Sequence, residues 1–232
     1  GGKVKNLLDK INTEVITPLT TQGLTQDDLG EYLFLNRVVT ERKDIANPLG
    51  QNRETAQKQL DYLLETLGQE KFDILKSSVD KFQSILKNLL DEANKAGFYK
   101  PETFAELITN PAYATFQVLD YLDDYVTPAI IHQIGTLKGI ANPFVSTTLK
   151  MISTLRAVER IKTNNSIINF MQNSFPVEIQ PAKIRRFGKY KAEAVEKEGF
   201  GLIKTREEGK LKAYYVDPYI AEQPDDQHAK SG

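Results

Sequence analysis

Seven apolar residues, Phe72, Leu75, Val79, Phe82, Leu86, Leu89 and Ala93, recur at intervals of 3-4-3-4-3-4. That period forms a single seam only on an α-helix, and three heptads of it can be buried only against other helices. Nothing else in the chain constrains the fold as strongly. The pattern stops at Gly97, a residue that readily takes the left-handed conformation ending a helix. An intramolecular bundle is therefore expected rather than a long coiled coil.

The flanking sequence supplies partners. Val4, Leu7, Leu8, Ile11, Val15 and Ile16 outline an amphipathic first helix, expected to stop near Pro18. Thr25 is a candidate N-cap, with Asp27 and Asp28 placed to meet the positive end of the helix dipole. A second helix runs from it through Leu29, Leu33, Arg37 and Thr40. Leu60, Leu63, Leu64 and Leu67 mark a third, ending at Gly68.

The tetrapeptide IANP occurs twice, at Ile45–Pro48 and Ile140–Pro143. Asn110-Pro111, Thr127-Pro128 and Asp217-Pro218 have the same form, a capping side chain followed by proline. The side chain accepts from first-turn N–H groups, and proline at the next position loses only a donor that has no partner there. Lys100-Pro101 uses the proline without the cap. After Pro143 a face of Val145, Leu149, Ile152, Leu155, Val158 and Ile161 predicts a long helix, extended by Ile168 and Met171 towards Phe175. Unbroken, it would span about 45 Å, with Thr163-Asn164-Asn165-Ser166 as a potential kink. The flanks of the two IANP copies share nothing, so the repeat reflects helix-start chemistry rather than duplication.

After Pro176 the period changes. In GFGLIKTREEGKLKAYYV, Phe200, Leu202 and Lys204 alternate, then Leu211, Ala213 and Tyr215, around a turn at Glu207–Lys210. This is the pattern of a β-hairpin. An isolated hairpin is marginal in water, so it should pack on helices or gain a third strand, for which 177–187 is the candidate. The expected class is mainly α: a multi-helix bundle over 1–175, a small β-hairpin and short terminal helix over 176–224, and a disordered tail over 225–232.

Composition narrows the function. Net charge is −1, so a nucleic-acid partner would need a local basic patch. Cysteine is absent, which removes disulfides and thiolate chemistry. No apolar run approaches the ~20 residues of a membrane helix. The opening Gly1-Gly2 and the closing DDQHAKSG read as the ends of a piece of something longer.

Catalytic signatures are sparse. The histidines are His132 and His228, and His132 has no serine neighbour. Asp120, Asp123 and Asp124 in LDYLDDYV place two carboxylates on one helical face, the geometry of a metal or acid–base site, and equally of a solvated acidic face. An enzyme built on Asp120, Asp123, Asp124 and His132 is the alternative reading. EGFG and GTLKG lack the spacing of phosphate loops. No catalytic residue, metal ligand or cofactor is assigned.

Basic residues gather in the C-terminal part. Between Pro176 and Val216 there are ten Lys or Arg against six Glu, with Phe187, Tyr190, Tyr214 and Tyr215 among them. Arg156 and Arg160 lie four residues apart on the long helix. Cations meet phosphates and aromatics stack on bases, so Arg156, Arg160, Arg185, Arg186, Lys189, Tyr214 and Tyr215 form the candidate binding set, for DNA or for a protein.

Several stretches, DDLGEYLFLNRVVTERKDIANPLG, NPAYATFQVLDYLDD, HQIGTLKGIANPFVSTTLKMISTLRAVER and GKLKAYYVDPYIAE, resemble a helical region of the large polyvalent proteins of bacteriophages and conjugative elements. The resemblance runs from about Asp27 to Glu222. It implies a non-catalytic binding or scaffolding segment of a very long chain that enters the host with DNA and counters its defences. The implied partners are neighbouring domains of the parent chain, a host or virion protein, or DNA. The implied location is the virion or the host bacterial cytoplasm. It offers no catalytic residues to carry over. Its most characteristic text, ISTLRAVER and AYYVDPYIAE, directs attention to Arg156, Glu159, Arg160, Tyr215 and Asp217.

Overall fold

The computed structural model describes residues 2–40, 51–109, 142–188 and 191–221. Asn47-Pro48, Asn110-Pro111, Thr127-Pro128 and the tail from 225 lie outside them. The fold is mainly α with a small C-terminal antiparallel sheet, as the two sequence periods predict. The helices are α1 (Gly2–Ile11), α2 (Thr17–Thr21), α3 (Gln26–Thr40), α4 (Arg53–Leu67), α5 (Gln69–Lys95), α6 (Pro101–Thr109), α7 (Pro143–Ser174) and α8 (Pro218–Ala221). The strands are β1 (Gln180–Pro181), β2 (Ile184–Phe187), β3 (Lys191–Ala194), β4 (Gly201–Glu207) and β5 (Lys210–Val216). Contacts divide the chain into two compact units. The first holds residues up to Asp91 with Phe104–Arg156, the second Glu92–Thr103 and Ala157 onward.

In the first unit the seam is buried as its spacing requires. Leu75, Val79, Phe82, Leu86, Leu89 and Leu90 on α5 are all under 10% exposed. Phe72 meets Tyr32 of α3 edge to face at 5.6 Å, and Phe82 meets Phe144 of α7 at 4.8 Å. Such aromatic pairs add to the area term that dominates burial.

Pro18 does not stop the first helix. Proline has no N–H for the carbonyl four residues back, and its ring crowds that carbonyl. The helix widens to π geometry over Asn12–Ile16, with Thr17 N–H reaching Asn12 O, and continues through α2. Such a one-turn insertion accommodates proline without ending the helix. Of the apolar face, Ile11 and Val15 are buried while Leu8 is exposed.

The capping predictions hold wherever the structure describes them. Asp28 N–H donates to Thr25 Oγ1, while Thr25 N–H donates to the Asp28 carboxylate at 2.6 Å. This reciprocal pair satisfies two donors at once. Asn52 and Thr55 do the same for α4.

Asn142 does more than cap. Its Oδ1 accepts from Phe144 N–H at 2.9 Å, starting α7 behind Pro143. Its Nδ2 donates to Gln26 O at 3.0 Å and to Asp27 Oδ1 at 3.1 Å, at the start of α3. The side chain reaches them because residue 30 is glycine. A Cβ built there would lie 2.2 Å from Asn142 Oδ1.

α7 is unbroken from Pro143 to Ser174. The expected kink at 163–166 is absent, and the buried face is displaced from the one counted from apolar residues. In the N-terminal half, Phe144, Thr147, Met151 and Thr154 are buried, whereas Val145, Leu149 and Ile152 are only partly covered. Two threonines hold core positions that an apolar count skips.

The second unit is built around the sheet. Strand order is β1-β5-β4, with Gln180 opposite Tyr215 and Leu202 opposite Tyr215 on its other side. The third strand thus comes from within 177–187, as anticipated. Ile168 and Met171 of α7 pack with Ile179, Ile203 and Val216, and Ile220 of α8 leans on that cluster. Asn164 Nδ2 donates to Lys204 O at 2.7 Å, and Thr205 Oγ1 donates to Asn165 Oδ1. The asparagines read as a kink fasten β4 to the helix instead. The β4–β5 turn carries positive φ at Glu208 and Gly209, and Gly209 N–H donates to Gly97 O at 2.9 Å.

These contacts predict a change of sign. Gly30→Ala alone should destabilise by about 1–3 kcal/mol, because the new methyl displaces Asn142 from its hydrogen bonds. Asn142→Ala alone should cost about 1 kcal/mol through the lost cap. In the Asn142→Ala background, Gly30→Ala should instead stabilise by up to about 1 kcal/mol, the ordinary helical gain of alanine over glycine. A double-mutant cycle read by denaturant unfolding checks this.

Candidate functional site

Arg156 and Arg160 are exposed on α7, Arg156 closing one unit and Arg160 belonging to the other. Glu159, their neighbour, stands 3.7 Å from Lys162, which also pairs with Glu92. Asp217 Oδ1 accepts from Tyr219 N–H at 2.9 Å and so caps α8. Lys189 lies outside the described residues.

Tyr215 belongs to the core of the second unit, and Tyr214 is partly buried. Tyr215 is 7% exposed, and its hydroxyl donates to Val195 O at 2.7 Å. Its ring meets Phe200 at 6.0 Å, with Lys197 Nζ 5.5 Å from its centroid. Tyr214 packs against the Ile203–Val216 cluster. The Tyr215 ring is therefore not presented to a base in solvent.

Arg185 and Arg186 lie on a hairpin the sequence reading did not assign. β2 and β3 pair antiparallel, with Ile184 opposite Ala194, Arg185 opposite Glu193, Arg186 opposite Ala192 and Phe187 opposite Lys191. Directly opposed residues share a face. One face therefore carries Ile184, Arg186, Ala192 and Ala194, and Ile184 and Ala194 are half-buried. The other carries Arg185, Phe187, Lys191 and Glu193, all exposed. Phe187 is 46% exposed, a large ring left in water. Lys191 Nζ lies 5.9 Å from its centroid and 3.1 Å from Glu193 Oε1. Neither Arg185 nor Arg186 forms an ion pair with a described residue.

In sequence, the charge excess of 176–216 falls within residues 183–194. Residues 183–194 hold five basic side chains and one acidic, Glu193. The remaining five basic and five acidic residues of the region cancel. Several of those others are engaged within the fold. Lys212 pairs with Glu207, Lys197 lies 4.4 Å over Phe200, and the Arg206 guanidinium lies 5.4 Å over Phe98.

Elsewhere in the second unit, Phe170, Phe175 and Val177 are exposed by 59%, 50% and 80% at the end of α7, with the two rings edge to face at 5.9 Å. In the first unit a cleft of about 210 Å³ is lined by Asp80, Gln83, Ser84, Leu86, Lys87, Leu90, Leu107 and Ile108. It is mainly apolar. Two buried phenols are held protonated. Burial, then the charge of Asp80, raises Tyr32, and burial raises Tyr99, whose hydroxyl has no hydrogen-bond partner among the described residues. Asp120, Asp123, Asp124, His132 and His228 lie outside the described residues. Among the described residues no group of three His, Cys, Asp or Glu is placed to hold a metal, and no helix is long and apolar enough to cross a membrane.

Comparison with protein-family models, curated proteins and solved structures gives no significant match.

The two kinds of aromatic separate experimentally. Tyr215→Phe should lower stability by about 0.5–1.5 kcal/mol, leaving Val195 O without its donor. The same change at an exposed phenol such as Tyr219, 88% exposed, should be neutral within about 0.5 kcal/mol. Thermal or urea unfolding of the two variants checks this.

Proposed function

We propose that this chain is a non-catalytic binding module of a large polyvalent protein of a bacteriophage or mobile element. The observation that carries the contact role is the exposed apolar group at the end of α7. Phe170, Phe175 and Val177 lie within eight residues of chain and leave most of their side chains in water. Scattered single exposures are ordinary, but a local group of large apolar side chains marks a contact surface. The aromatic pair suits such a role, since rigid rings lose little entropy on docking.

The setting comes from the resemblance of the stretches between Asp27 and Glu222. In that setting the partner is a neighbouring domain of the parent chain or a host or virion protein. The module acts after delivery with DNA, in the virion or the host cytoplasm. A nucleic-acid contact is a second reading, favoured by the charge concentrated on the β2–β3 hairpin. The enzyme reading rests on Asp120, Asp123, Asp124 and His132.

Photo-crosslinking residues placed at 170 and 177 in the parent chain, during infection or transfer, test the proposal. The expected result is a crosslink to one defined protein segment, well above that from exposed Lys58 on α4, and abolished by Phe175→Asp. Crosslinking no stronger than from position 58 would remove the basis for a contact surface there.

A further inference from the structure

We propose that the β2–β3 hairpin binds single-stranded nucleic acid, with Phe187 stacking on a base while Arg185, on the same face, meets a flanking phosphate. This rests on reading the chain as a binding module and names the chemistry of one partner. It concerns a surface other than the apolar end of α7.

Charge supplies the first argument. The chain carries −1 overall, yet residues 183–194 hold five basic side chains and one acidic. At physiological ionic strength charges are screened beyond about 8 Å. A strand touching the hairpin therefore responds to this local excess more than to acidic residues elsewhere. The sole acidic member, Glu193, is engaged by Lys191 at 3.1 Å. Arg185 is exposed and forms no ion pair with a described residue, so binding phosphate breaks no ion pair among the described residues. Arginine offers a fixed fork of donors suited to phosphate oxygens.

The second argument is the ring. Phe187 shares the outward face of the hairpin with Arg185, Lys191 and Glu193. Burying it within the fold would be the ordinary outcome for phenylalanine. Here it remains 46% exposed beside an arginine, the pairing of stacking platform and cation found where proteins hold unpaired bases. Lys191 Nζ, at 5.9 Å, stands at the margin of cation–π range and is drawn towards Glu193. A two-stranded ribbon also fits a duplex major groove, but there the base faces are stacked and closed to Phe187. The ring therefore favours single strands.

Fluorescence anisotropy of the whole chain with labelled oligothymidylate, oligouridylate and a duplex of equal length tests the proposal at low and moderate salt. Both single strands should bind more tightly than the duplex. Phe187→Ala should weaken single-strand binding roughly 5- to 100-fold, the loss of one stacked base, with the salt slope unchanged. Phe187→Trp should restore it. Arg185→Ala should weaken binding to all sequences and flatten the slope of log K against log salt by about 0.7, the contribution of one phosphate on a single strand. Circular dichroism of each variant shows that the fold is kept. Duplex bound as tightly as single strands, or single-strand binding indifferent to Phe187→Ala, would overturn the stacking proposal. So would absence of binding at low salt. Crosslinking from positions 170 and 177 reads the module separately, so the two readings fail independently.

Discussion

One asparagine joins the beginnings of two helices. Asn142 closes the first turn of α7 with its oxygen and holds the first turn of α3 with its nitrogen. Helix N-termini expose donors and attract acceptors, so two of them rarely share a neighbour by themselves. Asn142 resolves this because an amide both accepts and donates, and Asp27 offers a carboxylate where the positive dipole end favours one. Gly30 supplies the space. An aspartate or serine cap would start α7 equally well, but neither offers a neutral NH₂ to the backbone oxygen of Gln26.

A 32-residue helix is stable only through what covers it. Within the first unit α7 buries Phe144 against Phe82, and with it Thr147, Met151 and Thr154. Within the second, Ile168 and Met171 enter the sheet's core while Asn164 and Asn165 bond to β4. Asn164 and Asn165 bond to partners rather than break the helix, whereas the buried Thr154 hydroxyl has no hydrogen-bond partner among the described residues. Buried amides and hydroxyls that find acceptors fix register in a way apolar contacts alone do not.

Much of this was legible in the sequence. The α5 seam, the caps at Thr25, Asn142 and Asp217, the end of α5 at Gly97 and the β4–β5 hairpin all follow from spacing and turn chemistry. What escaped has identifiable causes. Pro18 predicts a stop, but a π turn accommodates it one turn earlier, and no residue in NTEVI announces that. The buried face of α7 includes Thr147, Thr154 and Asn164, which an apolar count discards. The β2–β3 hairpin hides because IRRF shows no polar–apolar alternation and KAEA alternates charged residues only with alanine, leaving Gly188 as the signal of a turn. Of the candidate residues, Arg185 and Arg186 are exposed, whereas the ring and hydroxyl of Tyr215 are consumed by packing. Exposure is set by tertiary contacts, so no local pattern distinguishes Phe187 in water from Tyr215 in the core.

The central structural claim is that α7 is one continuous helix, held through residues 163–166 by its bonds to β4. Hydrogen exchange resolved to single amides across α7 tests it directly, because exchange reports local opening. The account predicts that the amides of Asn164, Asn165 and Ser166 exchange as slowly as those of Leu155 and Val158. Rapid exchange confined to 163–166, with slow exchange on either side, would show a break where the structure places an unbroken helix.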